Sequence, residues 1–409
     1  MSTEHGRTLA LGRPVDGRGA LAPSAPLRLY QSVATNDVLA GAPVGLLPLD
    51  SPDRPSALGP PASALVDVIQ RRLTDRACIV EFSGGCDSSL VLSAAASACE
   101  RAGHAPPIAV TDRYDAPDAD ESAYQEAMVA HLGLRDWVVR RPDGAADLLG
   151  DANRRLLDEH GVVWPPTLGS RQPLLQELRG ALVLSGEGGD EVLGMRRLSP
   201  LLVLAPAVRA RQHRRDAVSF ATQVLGSWAR SRVGAEGAGL PWLRGATHAR
   251  IAGELRRDRR AEPLSPGRSA SGYLLRRRST VVGVHNLTVQ AAEHDVEWFA
   301  PLLDRTFVAS LEAGLPWHEY RGRNYLLNRH FADLLPQVIR SRRTKASFNA
   351  EGFGADARSF VAEWRGDGLP ADVDVVWLER EWQRTSPHAG TAMLLQAAWV
   401  SSLQGRSAS

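Results

Sequence analysis

The chain has 409 residues, enough for one large domain or two ordinary ones with an ample core. Its 44% hydrophobic and 23% charged residues are those of a soluble globular protein. A formal net charge of only +2 argues against nucleic acid or an anionic membrane as a partner.

Residues 1–61 read as a short N-terminal segment, rich in Pro, Gly, Ala and Ser, with a few short strands at most and a partly flexible course. Its start, "MSTEHGRTLALGRPVDGRG", lacks the apolar core of a signal peptide, and no apolar run reaches membrane-spanning length. Cys78, Cys86 and Cys99 form neither a C-x-x-C pair nor a cluster with histidine, so a reducing cytoplasm is the expected location.

From Ala62 the pattern becomes regular. "SALVDVIQRRL" is amphipathic at helical spacing, and "ACIVEF" (77–82) is a short buried strand ending at glycines. "SSLVLSAAASACERAG" reads as a helix of small residues closed by Gly103. "PIAVT" (107–111) is a second strand. "DADESAYQEAMVAHLG" is a helix with Asp118 and Glu121 at capping-box spacing. A third strand, "DWVVR" (136–140), and a helix, "LLQELRG", lead into a fourth strand, "ALVLS" (181–185). Strands alternating with helices predict a parallel α/β sheet with right-handed crossovers. Beyond about residue 195 the patterns are mainly helical, broken by the polar stretch "RRAEPLSPGRSASG".

Open parallel sheets bind ligands where loops leave the carboxyl ends of strands. Two such loops carry chemistry. In "SGGCDSS" (83–89), Ser83, Gly84 and Gly85 let backbone N–H groups approach an anion, and the helix that follows adds its positive end. This is a phosphate cradle without the lysine of a Walker A loop. Asp87 would repel phosphate unless a cation intervened, which implies Mg²⁺. In "LSGEGGDEVLG" (184–194), Asp190 supplies a second carboxylate for the same ion, or else an N-cap. Glu187, flanked by glycines, has no helix to cap and is placed for chemistry.

"SGGCDSS" resembles the pyrophosphatase-type loop of enzymes that cleave ATP between its α and β phosphates. Paired with "SGEGGDE" it is similar to the synthetase domain of asparagine synthetases and their relatives. "DES" (120–122), "VEWFAPLLD" (296–304), "LLPQVI" (334–339) and "RTKASF" (343–348) agree, in the family's order. The resemblance implies ATP and Mg²⁺ as cofactors and an α/β fold. That fold is a parallel-sheet ATP pyrophosphatase domain (adenine nucleotide alpha hydrolase-like) over residues 62–405, with a helical C-terminal elaboration. It further implies that Ser83, Gly84, Gly85, Ser88 and Ser89 hold pyrophosphate, with Asp87 and Asp190 on the metal. Phe82 and Val110 would border adenosine, and Ser185 and Gly186 would contact it through the backbone. Glu187 and Lys345 match catalytic positions.

The chain also departs from asparagine synthetases. Residue 2 is serine where they carry a nucleophilic cysteine, and some 60 residues stand in place of a glutaminase domain of about 200, so glutamine is not expected to supply nitrogen. Phe299 stands where they have an arginine, which argues against aspartate as the substrate. "RTKASFNAEGFGADAR" and the final "TAMLLQAAWVSSL" look most like the lasso-peptide cyclases, which activate an Asp or Glu side chain of a precursor peptide for attack by the peptide's own N-terminal amine. The expected reaction is therefore AMP-forming amide ligation, most simply macrolactam closure, with a precursor peptide as substrate and a leader-processing protein as partner. A small-carboxylate or β-lactam synthetase and an ammonia-using amidotransferase are the enzymatic alternatives. A tRNA-modifying enzyme would use the arginine clusters at 256–260 and 276–278, but it would lack "SGEGGDE" with the late "RTK".

Lysine and arginine together number 48, and the only lysine is Lys345. Arginine replaces lysine where a solvated charge suffices, but not where a compact ammonium must fit against developing charge. A pyridoxal Schiff base would also need a lysine, but it leaves "SGGCDSS" unexplained. Lys345→Arg and Lys345→Ala are both expected to lower product formation on the order of 10²–10³-fold while nucleotide binding survives. A near wild-type rate in the arginine variant would make the solitary lysine a compositional accident.

Overall fold

Short β-branched runs bounded by glycine and helix signals form strands when both of their faces can be covered. Four such runs do so here, and a fifth joins them from much further along the chain. The computed structural model describes residues 29–48, 56–114, 119–142, 144, 146–194, 239–264, 268–315, 321–342, 346 and 349–407. The strands are β1 (Cys78–Glu81), β2 (Ile108–Asp112), β3 (Trp137–Arg140), β4 (Leu182–Leu184) and β5 (Glu297–Phe299). They make one five-stranded sheet in the order β3-β2-β1-β4-β5, and every pairing is parallel.

Alternate residues of each strand enter different cores. Val80, Leu182 and Leu184 face Leu65 and Ile69 of α2 (Pro61–Gln70) and Leu90 and Ala94 of α3 (Cys86–Ala102). Ile79, Val110 and Val183 face the other way, toward Leu174 and Leu175 of α4 (Gln172–Glu177) and Leu287 of α5 (Arg278–Glu293). A sheet buried on both faces explains why the runs lack polar alternation. Ala94, Ala95 and Ala98 are fully buried on α3, where small side chains let the helix lie close to its neighbours. Gly103 ends α3 in the left-handed conformation expected of a C-cap.

A third core lies outside the sheet. It joins Leu39, Leu149 and Leu157 to Trp242, Ile251, Trp364, Trp382 and Leu395, so the helices after residue 239 share an apolar interior with earlier parts of the chain. This agrees with the expected helical elaboration.

Two sequence expectations are corrected. The helix containing "SAYQEAMVAHL" starts at Ser122, with Glu121 at the N-cap position and no side-chain cap, so Glu121 does not complete a capping box. Asp118 lies outside the described residues. The described part of the N-terminal segment forms an unexpected helix, α1 (Thr35–Ala40), together with isolated bridges from Ser32 to Val163 and Leu46 to Arg277.

That segment is bound to the body by charge. Asp37, 2% exposed, accepts from Arg278 Nη1 at 2.8 Å and Nη2 at 2.9 Å, and also from the N–H groups of Ala34 and Val44. Truncating the arginine would leave a buried carboxylate with only its local donors. Arg278→Met should therefore lower stability by about 2–3 kcal/mol in denaturant unfolding, whereas a loss under about 0.5 kcal/mol would show that the pair contributes little.

Candidate active site

In the order β3-β2-β1-β4-β5 the chain reverses its direction of strand addition between β1 and β4. Crevices in open α/β sheets form at such a switch point, outside the carboxyl ends of the strands. The loops that leave β1 and β4 are the two glycine-rich loops, so topology alone brings them together.

The first loop is fixed by its own hydroxyls. Ser83 Oγ lies 3.0 Å from Ser88 Oγ and accepts from the Gly85 N–H at 3.3 Å, while Ser88 Oγ accepts from the Ser83 N–H at 3.3 Å. Gln125 Nε2 donates to Ser83 O at 3.0 Å. Gly84 has φ +88°, and a Cβ there would meet Gln125 Cγ at 2.8 Å, so glycine is required. Ser83 is exposed, Gly85 and Asp87 are half-buried, and Ser88 and Ser89 are buried beneath them. Phe82 and Val110 lie in the cores on opposite faces of the sheet, joined by the Phe82 N–H to Val110 O bond of 2.8 Å. The Phe82 side chain is 1% exposed and supports the loop from below.

The second loop is pressed against the first. A Cβ on Gly186 would lie 2.8 Å from Ser88 N, and one on Gly189 would lie 2.1 Å from Asp87 Cγ. Gly188, at φ +87°, would meet Leu303 at 2.2 Å. The glycines of "GEGG" are thus explained by contact between the loops and with Leu303. Ser185, buried, donates its N–H to Phe299 O at 2.9 Å, which ties β4's loop to β5.

Asp190 is not an N-cap. Gly188 holds that position in the short helix Gly189–Leu193, which has no side-chain cap. Its carboxylate instead meets Arg323 Nη2, and the same nitrogen is 3.3 Å from Asp87 Oδ2. The two carboxylates expected to bind metal therefore converge on a single cationic group. Among the described residues no cluster of three or more His, Cys, Asp or Glu forms a metal cage. Two carboxylates fit a magnesium ion that takes its remaining ligands from phosphate oxygens and water. Arg323 gave no signal in the sequence beyond being one arginine among many.

A second pair missed from sequence is Arg342 with Glu121. Both side chains are 4% exposed, and the guanidinium meets both carboxylate oxygens. Arg342 Nη1 also donates to Gly84 O at 3.0 Å, and the guanidinium lies 4.3 Å from the centre of the Tyr124 ring. This fixes the segment ending at Arg342 to the first glycine loop. Lys345 lies outside the described residues.

Glu187 has an arginine of its own. Half of its side chain is open to solvent, and Arg171 Nη2 lies 3.7 Å from Oε1. Crowding by the surrounding protein raises its pKa; Arg171 opposes this, and Glu81, Glu191 and Asp190 add to it.

The asparagine synthase family profile matches residues 62–403. The chain belongs to the asparagine synthase family. No curated protein matches it. As a member of this family, the protein is an ATP-dependent enzyme of amide-bond formation, and family members generally use Mg²⁺ with the nucleotide. Among the described residues no helix is long and apolar enough to cross a membrane.

Asp87→Asn and Asp190→Asn should each weaken Mg²⁺-dependent ATP binding on the order of tenfold or more, with thermal unfolding little changed. An unaltered Mg²⁺ titration in either variant would remove that aspartate from the metal site.

Proposed function

We propose that this member of the asparagine synthase family activates a carboxylate as its acyl-adenylate and closes an amide within one ribosomal peptide, the macrolactam reaction of the lasso type. The observation that carries the adenylation step is the abutment of the two glycine loops at the β1/β4 switch point, with Asp87 and Asp190 on one cation position.

In this reading Ser83, Gly84, Gly85, Ser88 and Ser89 cradle the phosphates of ATP. Ser185 and Gly186 present backbone to the adenosine, with Phe82 and Val110 packed behind. Mg²⁺ held by Asp87 and Asp190 would neutralise charge on the departing pyrophosphate. A carboxylate oxygen attacks the α-phosphorus and the bond to the β-phosphate oxygen breaks. The amine then attacks the acyl carbon and AMP leaves with the bonding electrons. The amine sheds one proton, and Glu187 is the nearby carboxylate suited to accept it, because a raised pKa brings a carboxylate closer to the working pH of a general base. Lys345 would oppose the charge developing on the acyl oxygen and phosphate.

Phe299 favours a substrate other than aspartate. It lines a recess of about 470 Å³ with Arg72, Trp298 and Leu303, and the Arg72 guanidinium stacks 4.6 Å from its ring centre. A precursor peptide with a free amine and an Asp or Glu side chain is the proposed substrate, delivered by a leader-processing protein.

Purified protein with ATP, Mg²⁺ and a panel of such peptides should release AMP and pyrophosphate, one per peptide that loses one water. ADP and phosphate as products would exclude adenylation. Turnover of free amino acids or ammonia, but of no peptide, would exclude the macrolactam reading and leave a small-molecule ligase.

A further inference from the structure

A charged cluster occupies the carboxyl ends of the strands on the sheet face opposite α3. Glu81 ends β1 and Asp112 ends β2, Glu187 follows β4, and Trp298 lies in β5. Arg171 reaches into the middle of this group from a 3-10 turn, Leu168–Arg171, that runs directly into α4.

The base of Arg171 is rigidly held. Leu168 is fully buried and its carbonyl accepts from Gln290 Nε2 at 2.9 Å, while a Cβ on Gly169 would lie 2.5 Å from Asn153 Oδ1. The tip is fixed as well. Nη2 lies 3.2 Å from Glu81 Oε2, and the guanidinium lies 6.0 Å from the centre of the Trp298 ring. Trp298 in turn donates Nε1–H to the same Glu81 oxygen at 3.4 Å. Nη1 is buried and makes no hydrogen bond among the described residues, so a single nitrogen serves both Glu81 and Glu187.

We propose that Arg171 is a positioning residue, pinned by Glu81 and Trp298, that holds the Glu187 carboxylate over the carboxyl ends of β1 and β4. The geometry of the contact matters. A bidentate arginine would occupy both carboxylate oxygens and make Glu187 a poor proton acceptor. One nitrogen at 3.7 Å orients the group and keeps an oxygen available. Glu81 is the closer partner, so it limits how strongly Arg171 can stabilise the Glu187 charge. The role for Glu187 as proton acceptor rests on the proposed function; the coupling itself does not.

The charged neighbours of the pair come from several elements. Glu187 is faced by Arg171, Glu81, Glu191 and Asp190, and Arg171 by Glu81, Glu187, Asp112 and Tyr114. Asp112 is paired with Arg140 at 3.0 Å, and Arg140 also meets Glu177 at 3.3 Å. Arg171 and Glu81 therefore pull the titration of Glu187 in opposite directions, which a direct measurement can read.

The test is a carboxyl NMR titration of the full chain labelled with ¹³Cδ-glutamate, the Glu187 resonance being assigned by its loss in Glu187→Gln. Arg171→Met should move the Glu187 midpoint up by about one pH unit, and Glu81→Gln should move it down by a similar amount. Arg171→Lys should keep it closer to wild type than Arg171→Met does. Mg²⁺-dependent ATP binding should be retained in all three, which separates this coupling from the function of the two loops. An unmoved midpoint in folded Arg171→Met, or a rise in Glu81→Gln, would overturn the proposal. Should Arg171→Met fail to fold, the direction of the Glu81→Gln shift decides alone. Because no substrate turnover is read, failure of the macrolactam reading leaves this result intact, and the converse also holds.

Discussion

The site depends on one steric constraint, that two loops approach to backbone contact where the sheet changes its direction of growth. Gly186 lies against the Ser88 backbone and Gly189 against the Asp87 carboxylate, each closer than a Cβ would allow. Any side chain at those two positions would wedge the loops apart. Asp87 and Asp190 would then no longer share Arg323, and the N–H groups at the start of α3 would lose their neighbouring wall. Strand order makes the contact possible and glycine makes it close.

Charge compensation then holds the surrounding pieces in place. Carboxylates gathered at strand ends repel one another, and each group here is spanned by an arginine from a distant part of the chain. Arg323 spans Asp87 and Asp190, Arg342 covers Glu121 beside Gly84, and Arg171 bridges Glu81 and Glu187. The three differ in burial, and their work differs with it. The Arg342–Glu121 pair is almost wholly withdrawn from water and serves architecture, since breaking such a pair leaves an uncompensated buried charge. Asp190 is exposed, so its contact with Arg323 is open to solvent. Arg171 is about as exposed as Arg323, and it is fixed at its base and pinned at its tip by Glu81 and Trp298.

How much of this was readable in advance follows from the range over which each signal acts. The first four strands and the helix after β1 were legible because apolar runs and glycine stops are local. β5 was not, since Glu297–Phe299 is three residues long and carries a glutamate, too little for a periodic pattern. It becomes a strand only because β4 offers it a partner edge. The Asp118–Glu121 spacing suggested a helix start, but tertiary structure draws Glu121 into the pair with Arg342, and the helix begins at Ser122.

The sequence by itself determined the parallel α/β class, the two glycine loops, the carboxylates Asp87, Glu187 and Asp190, and through them the family's ATP-dependent chemistry. Those features are contiguous, and each was readable because its physics lies within a few residues: backbone freedom, helix-end charge, a carboxylate beside a turn. Only the tertiary structure decided which arginine meets which carboxylate. Arg323 reaches Asp190 across 133 residues and Arg342 reaches Glu121 across 221, and nothing local distinguishes these arginines from the rest. The physical reason is that a bare cation is as acceptable in water at one exposed position as at another. Its partner is chosen when folding brings strand ends together and leaves their negative charges needing a counterion.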